Sequence, residues 1–229
     1  MTTADLFQDP EPSGRPGPPA LADRDPRARA VLNAAVAVLA ERGLHATTLQ
    51  HVADRAGMGK ILTYRFYPTR QALIDALFGE LLAEIEAIAA RPWGGYGSGL
   101  AALVELGRAK PALYLSLLRE ARGDPESAPW ATACDGLLSC LAEPFVAPPA
   151  DASPQTRAAC AHAARAFRPF ITEVWIAGIE SSDGMTDAAR VRWFGAMVLA
   201  WRIATYEALG LPPGPEPVVL GPTPPPRGA

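Results

Sequence analysis

The 229-residue chain has 49% hydrophobic and 20% charged residues, enough apolar material for one or two compact domains. No apolar run approaches the roughly 20 residues of a membrane span, and the N-terminus lacks the pattern of an export signal, so we expect a cytoplasmic protein. Three cysteines, an odd number without a CxxC pair, argue against a disulfide framework or a metal site. We expect them to be small buried thiols.

Positive charge is concentrated in one early segment, although the net charge of the chain is −3. Between Arg24 and Asp75, eight cations stand against four anions, a local balance of +4, so the remaining residues carry −7. A basic segment on an acidic body is expected when one part of a protein meets a polyanion and the rest has another task.

The two ends of the chain have compositions that disfavour folding. Residues 1–23 are rich in proline, glycine and acidic residues, and residues 211–229 hold eight of the 24 prolines. Such segments bury too little apolar surface to offset the entropy lost on ordering, so both are predicted to be disordered tails. A PxxP-type ligand role for the C-terminal tail remains an alternative.

The periodicity between the tails is helical throughout, so the fold class is predicted to be all-α. The first helix is indicated by an apolar stripe with i, i+3, i+4, i+7 spacing and ends at Gly43. This stripe consists of Val31, Leu32, Ala35, Val38 and Leu39. A second helix begins after Thr48, whose hydroxyl can cap its free N–H groups, and runs to about Arg55.

A tight turn at Ala56-Gly57 leads into a short third helix over residues 59–66, which Pro68 prevents from continuing. Thr69 is predicted to cap a fourth helix, which runs from Arg70 to about residue 90. Two short helices joined by a tight turn, the second one cationic and aromatic, form a helix-turn-helix. This motif presents its second helix to the major groove of DNA.

Further helices are predicted beyond the fourth, with prolines at or near most of their boundaries. They span residues 99–108, 111–122, 127–142, 154–180 and 186–209. Pro169 lies inside the longest of them, where we expect a kink or a break. We therefore divide the chain into a helix-turn-helix domain over residues 24–72 and a helical body over residues 73–210.

The run from Val31 to Leu73 resembles the DNA-binding domain of the TetR family of bacterial transcription regulators. The resemblance rests on an ordered set of positions over about 45 residues. The matching positions are Ala34-Ala35, Leu39, Gly43, Thr47-Thr48, Val52-Ala53, Ala56-Gly57, Lys60, Tyr64, Pro68 and the Arg70-x-x-Leu73 start of the fourth helix. The resemblance implies an N-terminal three-helix domain joined to a C-terminal helical domain for ligand binding and dimerisation.

The resemblance and the side-chain chemistry together indicate which residues meet DNA. Thr48 can offer its hydroxyl to a phosphate, or it can serve as a helix cap alone. Lys60 can reach a guanine edge or a phosphate, and Arg65 and Arg70 can hold backbone phosphates. Tyr64 stands where the family places a ring against the sugar-phosphate backbone, with a purely structural tyrosine as the alternative.

The third helix departs from the family pattern at its start. The turn that commonly reads Val-Ser is Met58-Gly59 here, so a hydroxyl that could cap the helix is missing. The glycine that usually follows the cation is Ile61. These departures leave the phosphate-contacting residues nearly untouched but change the set available for reading bases.

Apolar side chains dominate the rest of the third helix. Ile61, Leu62 or Phe66 is therefore expected to touch thymine methyl groups rather than to donate hydrogen bonds. In the alternative interpretation, Leu62 and Phe66 turn into the domain core and leave Thr63 and Tyr67 partly exposed.

The resemblance implies that the helical body encloses a pocket for an effector, a small molecule that the sequence does not identify. All five tryptophans lie outside the helix-turn-helix, although an aromatic-rich body can also be an ordinary core. The candidate pocket walls are Trp93, Tyr96, Tyr114, Trp130, Phe145, Phe167 and Trp175.

The last two helices hold more apolar residues than the interior of one small subunit requires, and the family pairs its final two helices across a two-fold axis. The candidate interface residues are Phe170, Val174, Phe194, Val198 and Trp201. A symmetric dimer places two recognition helices about one DNA turn, roughly 34 Å, apart, so the operator should be a pseudo-palindrome.

The resemblance implies a ligand-responsive repressor that binds operator DNA as a homodimer and is released when an effector moves the fourth helix. The expected partners are double-stranded DNA, a small-molecule effector and a second copy, with no membrane, metal or cofactor. The alternative is a helical small-molecule or partner-binding protein whose helix-turn-helix no longer reads DNA. An enzyme is not expected, because metal-ligand spacing, a GxSxG elbow and a phosphate-binding glycine loop are absent from the sequence.

Overall fold

The structure is a computed structural model that describes residues 25–91 and 95–212. None of these residues lies in a strand, and the regular elements are helices, which confirms the all-α fold class. No helix in the described ranges combines the length and apolarity that crossing a bilayer requires. The predicted tail over residues 1–23 and all but the first two residues of the predicted tail over 211–229 lie outside the described residues.

The helix-turn-helix stands at the N-terminal end of the described chain. Its helices are α1 (Pro26–Arg42), α2 (Leu49–Ala56) and α3 (Lys60–Phe66). The Thr48 hydroxyl caps α2 by accepting from the backbone N–H of His51 at 3.2 Å. Gly57, which follows α2, has a φ of 63°, in the left-handed region that glycine adopts without strain. These bounds confirm the predicted helices and the tight turn between α2 and α3.

A long helix, α4 (Arg70–Ala89), leads from the helix-turn-helix into the body. It begins as predicted, because the Thr69 hydroxyl accepts from the backbone N–H of Ala72 at 3.0 Å. It packs against α1 on one side and against the body on the other. The expected domain boundary between residues 72 and 73 falls in its first turn, so α4 is shared by both parts.

The body is built from five further α-helices. They are α5 (Ser98–Ala109), α6 (Pro111–Leu115), α7 (Ala128–Ala142), α8 (Pro154–Glu180) and α9 (Asp187–Ala208). The segment predicted as one helix over residues 111–122 is irregular. After α6 it continues as a π-helical turn over Ser116–Glu120 and a 3₁₀ turn over Ala121–Gly123. A π-helical turn accommodates one extra residue within a helix, and such turns often mark functional positions.

The helix α8 runs through Pro169 as one helix, so the break that the sequence suggested does not occur. Pro169 removes the N–H that would bond to the carbonyl of Arg165. Both residues are exposed, and solvent can therefore hydrate the carbonyl that loses its helical donor.

Two glycines let α5 and α8 approach closely. A Cβ built on Gly107 would lie 2.4 Å from Cδ1 of Ile179, and one on Gly178 would lie 2.5 Å from Cγ2 of Val104. Across the same contact, the indole N–H of Trp175 donates to a carbonyl of α5 at 2.7 Å. This contact holds the centre of the body together.

The cysteines are free thiols in two different environments. Cys134 and Cys160 are buried, as expected, and burial is the main reason that the pKa of Cys134 rises to about 12. Cys140 is exposed on α7, so the expectation of a buried thiol is wrong at that position.

Candidate DNA-binding surface

One face of α3 projects into solvent and carries charged, aromatic and apolar side chains together. Lys60, Ile61, Tyr64 and Arg65 are all exposed, and their spacing of i, i+1, i+4 and i+5 places them on one side of the helix. Ile61 is 89% exposed. The ammonium of Lys60 lies 5.5 Å from the centroid of the Tyr64 ring, within cation–π distance.

The opposite face of α3 is buried. Thr63 and Tyr67 are 0% and 2% exposed, whereas Leu62 and Phe66 are only half-buried. The interpretation that left Thr63 and Tyr67 partly exposed is therefore wrong. These two residues are four apart and face the core together, where the Tyr67 hydroxyl donates to a carbonyl of α1 at 3.4 Å. Of the three apolar residues expected to meet thymine, only Ile61 is fully presented to solvent.

The cations near α3 differ in whether a carboxylate neutralises them. Arg55 pairs with Glu41 of α1 at 2.6 Å. Within the described part of the chain, neither Lys60 nor Arg65 has an ion-pair partner. Their charges are therefore available to a polyanion, whereas that of Arg55 is already compensated.

The role expected for Arg70, holding a backbone phosphate, requires a side chain that faces outward. In the structure, Arg70 faces the protein instead. Its Nε donates to the carbonyl of Thr47 at 3.1 Å, and its Nη2 donates to the carbonyl of Leu44 at 2.9 Å. Its Nη1 donates to Asp124 at 3.3 Å and to the carboxylate of Glu126, both in the loop before α7. The guanidinium is thus engaged within the protein, where it joins the loop between α1 and α2 to the body.

A carboxylate from the π-helical turn reaches the same loop. Oε2 of Glu120 accepts from the backbone N–H of Leu44 at 2.7 Å, and Nδ1 of His45 lies 3.8 Å from Asp124. Gly43 has a φ of 75°, and a Cβ there would lie 3.2 Å from Oε2 of Glu120, so the loop closes tightly on the carboxylate. We call this set the domain junction; it consists of Gly43, Leu44, His45, Thr47, Arg70, Glu120, Asp124 and Glu126.

Asp124 is the ionised centre of the domain junction. Burial works against its negative charge, but the hydrogen bonds from Ser127 and Arg70 and the charge of Arg70 outweigh burial, so the pKa of this carboxyl lies below its ordinary value. Asp124 is therefore ionised at neutral pH, and its attraction to Arg70 operates there.

Farther along, α4 is tied to the body by polar side chains. Glu84 accepts from Lys110 at 2.6 Å and from the Tyr114 hydroxyl at 2.7 Å. Asp75 accepts from the indole N–H of Trp130 at 2.8 Å. A displacement of α6 or α7 would therefore be transmitted to α4 through these hydrogen bonds.

The aromatic residues expected to line an effector pocket belong to different ring contacts. Tyr114 and Trp175 are fully buried, with ring centroids 5.5 Å apart. Tyr96 stacks on Phe145 with ring centroids 5.7 Å apart, and Trp130 bonds to Asp75 of α4. Trp93 lies outside the described residues.

The seventh of these residues, Phe167, stacks on Trp201 of α9 at 4.2 Å. A groove of about 320 Å³ between α5 and α9 is lined by none of the six candidates that the structure describes. Its walls are Leu100, Ala101, Val104, Glu105, Arg108, Asp187, Arg190 and Val191. The six described candidates do not line this groove, and their role as walls of an effector pocket stays a prediction.

The helix α9 exposes a wide apolar face, which we call the α9 outer face. It consists of Trp193, Ala196, Met197, Leu199, Ala200, Ile203 and Ala204. Among the expected interface residues, Val174, Phe194 and Val198 are at most 6% exposed in the subunit itself, and Phe170 and Trp201 are half-buried. The first three are covered by their own subunit, so the surface open to a partner lies beside them on α9.

The fold and the exposed face of α3 define a class: helix-turn-helix DNA-binding proteins with a separate helical body. Residues 31–77 match the family described as "Bacterial regulatory proteins, tetR family". The N-terminal domain of the chain therefore belongs to this family, and together with the fold it supports a DNA-binding transcription regulator. No curated protein sequence matches the chain.

Solved structures share the fold at low sequence identity. Salmonella enterica GusR is 21% identical, with 81% of this chain and 96% of that one covered and a TM-score of 0.55. A TetR-like transcriptional regulator from Rhodococcus sp. RHA1 is 22% identical, with coverage of 78% and 95% and a TM-score of 0.58. FadR from Bacillus subtilis, solved in complex with stearoyl-CoA, is 15% identical, with coverage of 77% and 98% and a TM-score of 0.52.

Proposed function

We propose that the chain is a ligand-responsive repressor that binds a pseudo-palindromic operator as a homodimer. The observation that carries this proposal is the outer face of α3, where an exposed isoleucine and an exposed tyrosine lie between two cations that have no ion-pair partner among the described residues. A solvated structural helix has no need for this combination, whereas the major groove offers both phosphates and apolar methyl groups.

Each exposed residue has a role that fits its chemistry. Lys60 reaches a guanine edge or a phosphate, and Arg65 holds a backbone phosphate. The Tyr64 ring packs on the sugar-phosphate backbone. Thr48 is exposed, and its hydroxyl hydrogen remains available to a phosphate while its oxygen caps α2. Arg70 is left out of this set because its donors are engaged in the domain junction.

The α9 outer face supports the homodimer. It presents apolar side chains that are 38–50% exposed in the single subunit, with alanines between them. A self-complementary apolar helix face is suited to packing around a two-fold axis. Such a dimer would set two copies of α3 roughly 34 Å apart, which matches successive major grooves on one side of the duplex.

The helical body over residues 73–210 would bind the effector, and the domain over residues 24–72 would bind the operator in the cytoplasm. FadR from Bacillus subtilis, which shares the fold, was solved in complex with stearoyl-CoA, and this similarity supports a ligand-binding role for the chain. The domain junction and the polar links of α4 offer a mechanical connection, because an effector that favours one arrangement of α6 and α7 would shift the position of α3.

Selection of genomic fragments by the purified protein at two salt concentrations tests the proposal. We expect an inverted repeat whose binding falls steeply as salt rises, because phosphate neutralisation releases counterions. Lys60→Ala should weaken binding about tenfold or more and reduce the salt dependence by about one phosphate contact. Arg165→Ala removes one exposed positive charge from α8 and serves as the control, with unchanged binding expected.

Sequence-blind retention that ignores salt would contradict the proposal. It would instead favour the alternative function, in which the helical body binds a small molecule or a partner and the helix-turn-helix no longer reads DNA. Unchanged operator affinity at saturating effector, measured on an operator that does bind, would remove the ligand-responsive part alone.

A further inference from the structure

We infer that Ile61 reads a thymine methyl group, so that each operator half-site carries an obligatory T·A pair opposite this residue. The inference rests on the proposed function and deepens it, because it names the base-pair class that one residue selects. It also separates Ile61 from the two other apolar residues of α3.

Solvent exposure distinguishes Ile61 from Leu62 and Phe66. Ile61 is 89% exposed, whereas Leu62 and Phe66 are half-buried, and Phe66 packs against the core. A single exposed isoleucine is common on protein surfaces and needs no explanation by itself. The environment of Ile61 is different, because Lys60 precedes it and Arg65 follows one turn later on the same face, and neither cation forms an ion pair with any residue in 25–91 or 95–212. Cations on both sides would hold the isoleucine against a polyanion.

The start of α3 leaves Ile61 free to approach a base edge. Gly59, the residue before the helix, has no side-chain cap, and a Cβ built there would meet no described atom within 4 Å. The N-terminal residues of a recognition helix are those that contact base edges in helix-turn-helix complexes. Because isoleucine in a helix has one strongly preferred χ1 rotamer, its methyl groups would be presented in a fixed direction.

The chemistry of isoleucine limits what it can select. Its side chain has no hydrogen-bond donor or acceptor, so it cannot recognise the hydrogen-bonding pattern of the major groove. Thymine is the one base that offers a methyl group in that groove. Placing isoleucine against a cytosine amine or a guanine oxygen would remove water from a polar group without replacing its hydrogen bond. A T·A pair is therefore the favoured partner.

Deoxyuridine provides the test, because it differs from thymidine only by the absence of the methyl group. In the selected operator, each thymidine is replaced in turn, symmetrically in both half-sites, and the dissociation constant is measured. We expect one position at which the replacement weakens binding roughly fourfold per half-site, as the loss of one buried methyl predicts. Ile61→Ala should weaken binding to the thymidine operator and remove the effect of deoxyuridine at that position.

Lys60→Ala is the matched control, because it should weaken binding to both operators equally and keep the deoxyuridine effect. If the effect persists in Ile61→Ala, another residue reads the methyl and the inference is overturned. If the operator binds but no thymidine position responds, the inference fails while the proposed regulator stands. A protein that retains no specific duplex at all overturns both.

Discussion

Glu120 accepts a hydrogen bond from the backbone N–H of Leu44 at 2.7 Å, although 76 residues separate the two in sequence. The bond connects the π-helical turn of the body to the loop that leads into α2. Because Arg70 donates to the carbonyl of the same Leu44 at 2.9 Å, both backbone polar groups of this residue bond to side chains from distant parts of the chain. The position of the helix-turn-helix therefore depends on the arrangement of the body.

The first prediction separates the structural role of Arg70 from the DNA-binding role of Lys60. Arg70→Met should lower the free energy of unfolding by about 2 kcal/mol, because it leaves two carbonyls and two carboxylates without their charged donor. Lys60→Met should change stability by less than about 0.5 kcal/mol, since its side chain is exposed. Urea unfolding measures both.

Operator binding of the same two variants completes the test. Lys60→Met should lose affinity despite its normal stability. If Arg70→Met kept full stability and lost operator binding in step with Lys60→Met, Arg70 would contact phosphate after all and its place in the domain junction would have no energetic weight.

The second prediction concerns acid. The folded pKa of Asp124 lies below its ordinary value of about 3.9, so its stabilising contribution is complete above that value and is lost as pH falls through the folded pKa. Asp124→Asn should therefore be less stable than the parent at pH 7, and the difference should shrink as pH drops below about 4. Denaturant unfolding at a series of pH values measures this; a difference that is constant across the series would show that ionisation of Asp124 contributes nothing.

The third prediction tests the close contact of α5 and α8. Gly107→Ala places a methyl group 2.4 Å from Cδ1 of Ile179, so overpacking should cost about 1–3 kcal/mol. Gly136→Ala is the control on α7, where an added Cβ meets nothing within 4 Å and the better helix propensity of alanine should raise stability by about 0.5–1 kcal/mol. Thermal unfolding of the pair should give shifts of opposite sign, and two shifts of the same sign would contradict the contact.

The fourth prediction tests the α9 outer face as the dimer interface. Ile203→Glu buries a charge if this face is covered by a second copy, so the variant should become monomeric by sedimentation and lose tight operator binding. Thr132→Glu adds the same charge at an exposed site on α7 and should leave the association state unchanged. A dimer that persists in Ile203→Glu would place the interface elsewhere.

The sequence was sufficient for the local features of the fold. Thr48, Thr69 and Gly43 mark helix ends through interactions with their immediate neighbours, so the bounds of α1 to α4 followed from short patterns. The irregular turn after α6 was missed, because a segment of good helix formers does not show where an extra residue has to be accommodated.

Contacts between distant segments could not be predicted in the same way. Arg70 looked like a phosphate-binding cation because its charge is visible in the sequence, whereas the carboxylates that engage it lie 54 and 56 residues away. Apolar residues raise a related problem. Val198 and Met197 are adjacent and both apolar, but one is 1% exposed and the other 41%, and only the packing of α9 distinguishes them.

The contrast between the buried Cys134 and Cys160 and the exposed Cys140 supplies an intrinsic attachment point for a reporter group. A thiol-reactive spin label would modify Cys140 without any prior substitution, because the other two sulfurs are shielded from reagents. In a two-fold assembly, the two labels would define one distance on the bodies, and the arrival of an effector could be followed as a change in that distance in solution.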